Sequence, residues 1–249
     1  MTEIDTVIVW RGQSDVSWEP CPGIYRRLKS NGCPSVEITE DLVLSYEKDL
    51  FCEANAMGYY SDAGGNRLSL QVLLQHHGAA TRFLDVTRNP LVALWFACET
   101  QCHNNGVVYR YEVAVERSAD YVEAQSWNSI TASKQKGRPV LYFPKILDQR
   151  IIAQQAGFLT TVLNRSLDYG SIFTDETDEI GITKYEVSSD IKPELRQLLT
   201  KNYGVNGYTL YPDFDGFARE NAASREFQRD SAHLYGVGIE LFPEDRWRE

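Results

Sequence analysis

The chain has 249 residues, 43% of them hydrophobic and 24% charged, the balance of a globular chain and not of a disordered one. Its formal charge of −10, from 25 basic and 35 acidic side chains, opposes nonspecific binding to nucleic acid, whose affinity comes mostly from neutralised phosphates. No stretch is long and apolar enough to cross a bilayer. The irregularly spaced Cys21, Cys33, Cys52, Cys98 and Cys102 fit the reduced thiols of a cytoplasmic protein better than a disulfide framework.

Val7, Val9 and Trp10 open a short apolar strand ending at Arg11-Gly12, and Pro20, Pro22 and Gly23 mark a loop after it. A helix is predicted over residues 39–57, with Thr39 as cap and Leu42, Tyr46, Leu50 and Ala54 recurring every fourth residue. Residues 61–66 form a polar break. Residues 69–77 read as a second helix, stopped by Gly78 in a left-handed conformation. Residues 81–87 are a strand or a tight crossing.

Asn89 caps a third helix that carries Pro90 in its first turn, where a missing N–H costs nothing. Leu91, Leu94, Trp95 and Cys98 line one face of it. Ala93, Phe96 and Ala97 make the rest apolar, so burial on nearly all sides is expected. Strand alternation recurs over residues 107–113, 140–143 and 180–187. Residues 193–203 form an amphipathic helix with Leu195, Leu198 and Leu199 inward and Gly204 at its end, and a tail helix begins near Asp215. With no repeat and no proline-rich linker, the pattern predicts one α+β domain over residues 1–249. Its core would be a mixed or antiparallel sheet with packed helices.

Four segments resemble the signatures of the FRG domain family, in the expected order. They are WRGQ (Trp10, Arg11, Gly12, Gln13), QHHGAATRFLDVTRNPLVALWFA (from Gln75), RIIAQQAGFL (from Arg150) and LYPDFDG (from Leu210). A more distant likeness is to ADP-ribosyltransferases. In these an aromatic-Arg-Gly strand end holds NAD, a Ser- or Thr-bearing strand feeds a helix, and a later loop carries a catalytic glutamate. Arg11 matches the first element and Asp85-Val86-Thr87 is similar to the second, while the third position supplies Gln154.

Each candidate has a structural and a functional reading. Arg11 is either a salt-bridge partner at a strand end or a bidentate holder of phosphate, with Gly12 allowing close approach of a ligand. His76 either interacts with the negative end of its helix or acts as a general acid or base. Arg82 and Asp85 read as a structural pair, and Thr87 as a possible cap. Cys98, Cys102 and His103 invite a zinc hypothesis but supply too few closely spaced ligands for a structural site, and no metal is expected. Asp213-Phe214-Asp215-Gly216 is good turn and N-cap chemistry.

Taken with the two resemblances, these residues imply a cleft for NAD or a related nucleotide. Arg11, Gly12, Gln13, Arg82 and Thr87 would bind the cofactor, and His76, Thr87 and Gln154 would be catalytic. The implied activity is transfer of ADP-ribose to a protein or nucleic-acid acceptor, or hydrolysis of NAD, by a toxin or anti-phage defence effector. The alternative is a noncatalytic module that senses a ligand or a protein partner.

Overall fold

The computed structural model describes residues 5–34, 38–62, 64, 66–120, 138–163, 173–174 and 180–222. Seven strands form one sheet: β1 (Thr6–Gln13), β2 (Leu84–Thr87), β3 (Gly106–Ala114), β4 (Ser118–Asp120), β5 (Val140–Phe143), β6 (Ala156–Thr160) and β7 (Ile180–Val187), in the order β4-β5-β6-β2-β1-β3-β7. Every ladder is antiparallel except β4 with β5. The fold is therefore α+β on a mixed, mostly antiparallel sheet, as the strand pattern predicted.

The helices are α1 (Gly23–Ser30), α2 (Glu40–Ala56), α3 (Tyr59–Asp62), α4 (Arg67–His76), α5 (Pro90–Cys98), α6 (Gln149–Ala153), α7 (Lys192–Tyr203), α8 (Gly207–Leu210) and α9 (Phe214–Glu220). Caps set their ends. Thr39 accepts from Leu42 N on α2, Asn66 from Leu68 N and Ser69 N on α4, and Asn89 from Leu91 N on α5. Gly78 and Gly204, at φ +86° and +64°, follow α4 and α7 in the left-handed conformation that glycine adopts without strain. Residues 63 and 65 of the expected polar break lie outside the described residues.

One sheet face packs on α1 and α2. Val9, Leu84, Val86, Tyr109, Tyr111, Leu141 and Leu159 meet Ile24, Tyr25 and Val43 there. On the other face α5 lies against β1 and β3, its Ala93, Ala97 and Cys98 clustered with Val108 and Val187. Further along that face, α4 and α6 cover Phe83, Tyr142 and Phe158 through Leu68, Val72 and Ile151. A bare stretch of sheet is left between α5 and the α4–α6 pair.

Helix α5 reaches the sheet closely because two glycines face it. A Cβ on Gly12 would sit 1.8 Å from Ala93 O, and one on Gly106 would sit 2.4 Å from Ala97 O. The buried residues of α5 are Val92, Ala93, Trp95, Ala97 and Cys98. Leu91 and Leu94, expected on the inward face, are only half-buried, because the small residues and not the leucines meet the sheet. On α7, Leu199 is buried but Leu198 is 44% exposed, so the inward stripe is narrower than expected.

The buried stripe of α2 runs through Val43, Glu47 and Ala54; Ala54 was expected there, while Val43 and Glu47 lie one residue on from Leu42 and Tyr46. It carries a carboxylate that an apolar periodicity passes over. Arg82, fully buried, explains that charge. Its Nε and Nη2 donate to Glu47 Oε1 and Oε2 at 2.6 and 2.7 Å, and its Nη1 donates to Glu40 Oε1 at 2.8 Å. Gln71 adds a bond to Glu47 Oε1 at 2.8 Å, and Glu40 Oε2 accepts from Leu163 N at 2.8 Å. The predicted Arg82–Asp85 pair does not form, and Arg82 belongs to the core and not to a ligand site.

All five cysteines are free thiols. Cys98 is buried, which pushes its thiol up to about 11, while Cys102 and His103 are exposed. The suspected zinc ligands therefore diverge.

Candidate functional site

The pleat determines what floors the bare stretch. Register pairs Asp85 with Phe158, Thr87 with Ala156, and Trp10 with Thr87. Because side chains alternate along a strand, these residues share the face opposite Leu84 and Val86. They line a cavity of about 280 Å³ walled by Phe96 of α5, Gln75 and His76 of α4, Arg150 and Gln154 at α6, and Tyr211. That volume is at the small end of ligand pockets, which run from roughly 300 Å³ upward.

Arg11, Gly12, His76, Thr87 and Gln154 come from four separate stretches of chain and all line this cavity. Gln13 and Arg82 do not. Gln13 is 5% exposed, accepts from Arg11 Nε at 2.9 Å and donates to Trp18 O at 2.7 Å, so it positions the arginine from behind. Gly12 lines the cavity, yet what requires a glycine there is the seat of α5.

Arg11 leaves β1 on the core face beside Val9. Its Nη1 turns to β2 and donates to Asp85 O at 2.8 Å. Among the described residues it makes no salt bridge, and both its partners are neutral oxygens. Burial holds its guanidinium below the ordinary value, with the nearby Asp85 carboxylate pulling the other way. Arginine stays charged in proteins, so this is a half-buried cation with N–H donors still available.

Thr87 and Gln154 serve as struts. The Thr87 hydroxyl donates to Gln154 O at 2.6 Å and accepts from Asn89 N at 3.0 Å, which ties β2, the start of α5 and the end of α6 together. Gln154 donates its Nε2 to Leu210 O at 3.0 Å. The side chain of His76 is 7% exposed and its buried Nε2 lies 3.4 Å from Asp148 Oδ1, without a hydrogen-bond partner among the described residues. Burial lowers its affinity for a proton, while Asp148 opposes the effect.

Arg150, from the third motif, closes one side. Its Nη2 donates to Asp213 Oδ1 at 2.6 Å, its Nε pairs with Oδ2, and its Nη1 donates to His76 O at 3.2 Å. Asp213 also accepts from Gly216 N at 2.7 Å, confirming the N-cap reading of the fourth motif. His76, Asp148 and Asp213 offer ligand atoms within 4.8 Å of one another, but Arg150 already neutralises Asp213. A metal there would have to displace that guanidinium.

The bond from Arg150 draws the Asp213 carboxyl down from 3.8 to about 2, against burial and with help from Gly216 N. Its folded value thus lies below the unfolded one, so the stabilisation is complete above about pH 4 and is lost as pH falls toward about 2. We expect the melting temperature of the native protein to drop across that window more steeply than that of Asp213→Asn. Parallel melting curves would show that the pair adds nothing.

Asp85 is the site residue the sequence reading misplaced. It is exposed on a central strand because the sheet is uncovered there, and Gln75 Nε2 donates to its Oδ2 at 2.7 Å. Leu84-Asp85-Val86-Thr87 alternates apolar and polar, the one local signal that could have set Asp85 beside Thr87 and away from the core.

No helix among the described residues is long and apolar enough to cross a membrane. No curated protein and no solved structure matches the chain. Residues 6–106 match the FRG domain family, and that segment supplies β1, β2, α4 and α5 around the cavity while α6, β6 and Tyr211 complete it from outside. It is this segment, residues 6–106, that is similar to the FRG domain.

Proposed function

We propose that the cavity binds NAD or a related nucleotide, with a phosphate on Arg11 and flat groups against the aromatic walls. The observation that carries this is the state of Arg11, a half-buried guanidinium held, among the described residues, by neutral acceptors at the edge of a concave site. A phosphate would supply the counter-charge in bidentate form. Trp10, Phe96, Phe158 and Tyr211 offer ring faces or edges around it. On this reading the domain transfers ADP-ribose to an acceptor or hydrolyses NAD.

Binding without turnover has one observation in its favour: Thr87 and Gln154 already hold structural hydrogen bonds. The two readings share the Arg11 contact and divide on nicotinamide release.

The test is calorimetric titration with NAD and ADP-ribose. Arg11→Lys keeps the charge but loses the planar fork. A charge-assisted contact contributes about 1.5–3 kcal/mol, so the dissociation constant should rise by roughly 10- to 100-fold. Native protein that binds neither compound, or a lysine variant that binds equally well, would refute the assignment.

A further inference from the structure

We infer that Asp85 is the carboxylate that makes this cleft catalytic, by stabilising the positive charge that develops on the ribose when the nicotinamide bond of NAD breaks. This rests on the nucleotide reading above and deepens it.

Asp85 is exposed and adds nothing to the packed core. Aspartate is a poor strand former, and its flanking residues Leu84 and Val86 are core. It makes no salt bridge among the described residues, and its one side-chain partner is the neutral amide of Gln75. That amide has a determined orientation. Phe83 N donates to Thr81 Oγ1 at 3.1 Å, and because the Asp85 carboxylate can only accept, Gln75 turns its Oε1 to the Thr81 hydroxyl, 2.6 Å away. Gln75 must then present its NH₂ end to Asp85 Oδ2. The chain Phe83–Thr81–Gln75 aims the carboxylate, and the open cavity remains on its other side.

The charge pattern selects the ligand. Arg11 binds the main-chain carbonyl of the same residue, Asp85, so cation and carboxylate are held at a set separation. A ligand that is purely anionic would be attracted by one and repelled by the other. A ligand that carries phosphate at one end and a cationic ring on its sugar suits both. NAD has that form, with a pyrophosphate and a positively charged nicotinamide ribose.

The reaction balances without another reagent. The C1′–N bond breaks with its electron pair going to nicotinamide, which leaves neutral. The resulting oxocarbenium lies against Asp85. The oxygen of water or of an acceptor hydroxyl then bonds to C1′, and its proton passes to the exposed carboxylate of Asp85 and from there to solvent. A preorganised charge aimed at a developing charge supplies about 100-fold in rate when judged by its removal.

The experiment measures nicotinamide release and ADP-ribose binding on the same preparations. Asp85→Asn should lower kcat for release by about 100-fold while ADP-ribose affinity stays within about threefold and the melting temperature holds. Gln75→Leu should lower kcat by a larger factor than it raises KM, since its chief part is to position the carboxylate. Asp85→Asn turning over at the native rate would overturn the inference and leave the nucleotide reading standing. Native protein that binds ADP-ribose but releases no nicotinamide would do the same. Native protein that binds neither NAD nor ADP-ribose would bring down both.

Discussion

Arg82→Ala is expected to remove about 3–5 kcal/mol of folding stability, a large part of the roughly 5–15 kcal/mol that a domain possesses. The guanidinium is fully buried and holds Glu47 through two bonds and Glu40 through a third. Deleting it leaves the Glu47 carboxylate in the core with, among the described residues, Gln71 alone to satisfy it. Most of the penalty is that orphaned charge and not the loss of the pair itself. Arg82→Met combined with Glu47→Leu should therefore be more stable than Arg82→Ala alone. Urea midpoints for the native protein and both variants test this, and a single variant within about 1 kcal/mol of native, the scale of an exposed pair, would contradict the buried network.

Gly12→Ala should be comparably damaging for a different reason. The added methyl would meet Ala93 O at 1.8 Å, Ala97 N at 2.7 Å and Ala93 C at 2.8 Å, all of them backbone atoms of α5 that no rotamer change can move. Helix α5 would have to lift off β1, carrying Phe96 out of the cavity wall and opening the cluster around Val108. Overpacking of a rigid contact costs typically 1–3 kcal/mol, and more where backbone must shift. We expect at least about 3 kcal/mol together with loss of ADP-ribose binding. Gly78→Ala is the comparison, since a Cβ there meets open space and the effect is confined to its left-handed φ of +86°. Equal melting temperatures for Gly12→Ala and the native protein would mean that the α5 contact is looser than described.

Local chemistry was readable wherever a cap or an alternation announced it. Thr39, Asn89 and Asp213 are side chains that bond to the next turn, and strand 106–114 alternates over residues 109–113. The start of α4 still fell two residues early of the reading, because Asn66 caps ahead of Ser69. Helix α1 was hidden behind Pro22 and Gly23, which look like a turn but begin the helix that buries Ile24 and Tyr25. What no local rule contains is partner choice over long separations. Arg82 lies three residues from Asp85 yet bonds Glu47, because strand geometry sends the two side chains to different environments. The same limit explains the mixed reading of the site. Motif order brought Arg11, His76, Thr87 and Gln154 together, but whether a hydroxyl is open to a ligand or committed to Gln154 O depends on folded distances.

The β1–β2 ladder is a single register pair, Trp10 with Thr87, whereas β1 is paired with β3 along its whole length. Mechanically the sheet is thus two panels, β1-β3-β7 and β2-β6-β5-β4, joined along a seam with very little backbone stitching. Exchange-protecting hydrogen bonds are sparse there, so the seam is where the sheet yields at least expense in free energy. Arg11 stands on one panel and reaches its bond on the other. A ligand that grips Arg11 together with groups of β2 or α6 would span both panels and act as a rivet across the seam. Occupancy of the cleft and stiffness of the sheet are then one variable, and the domain can report a bound ligand through its rigidity as well as through chemistry.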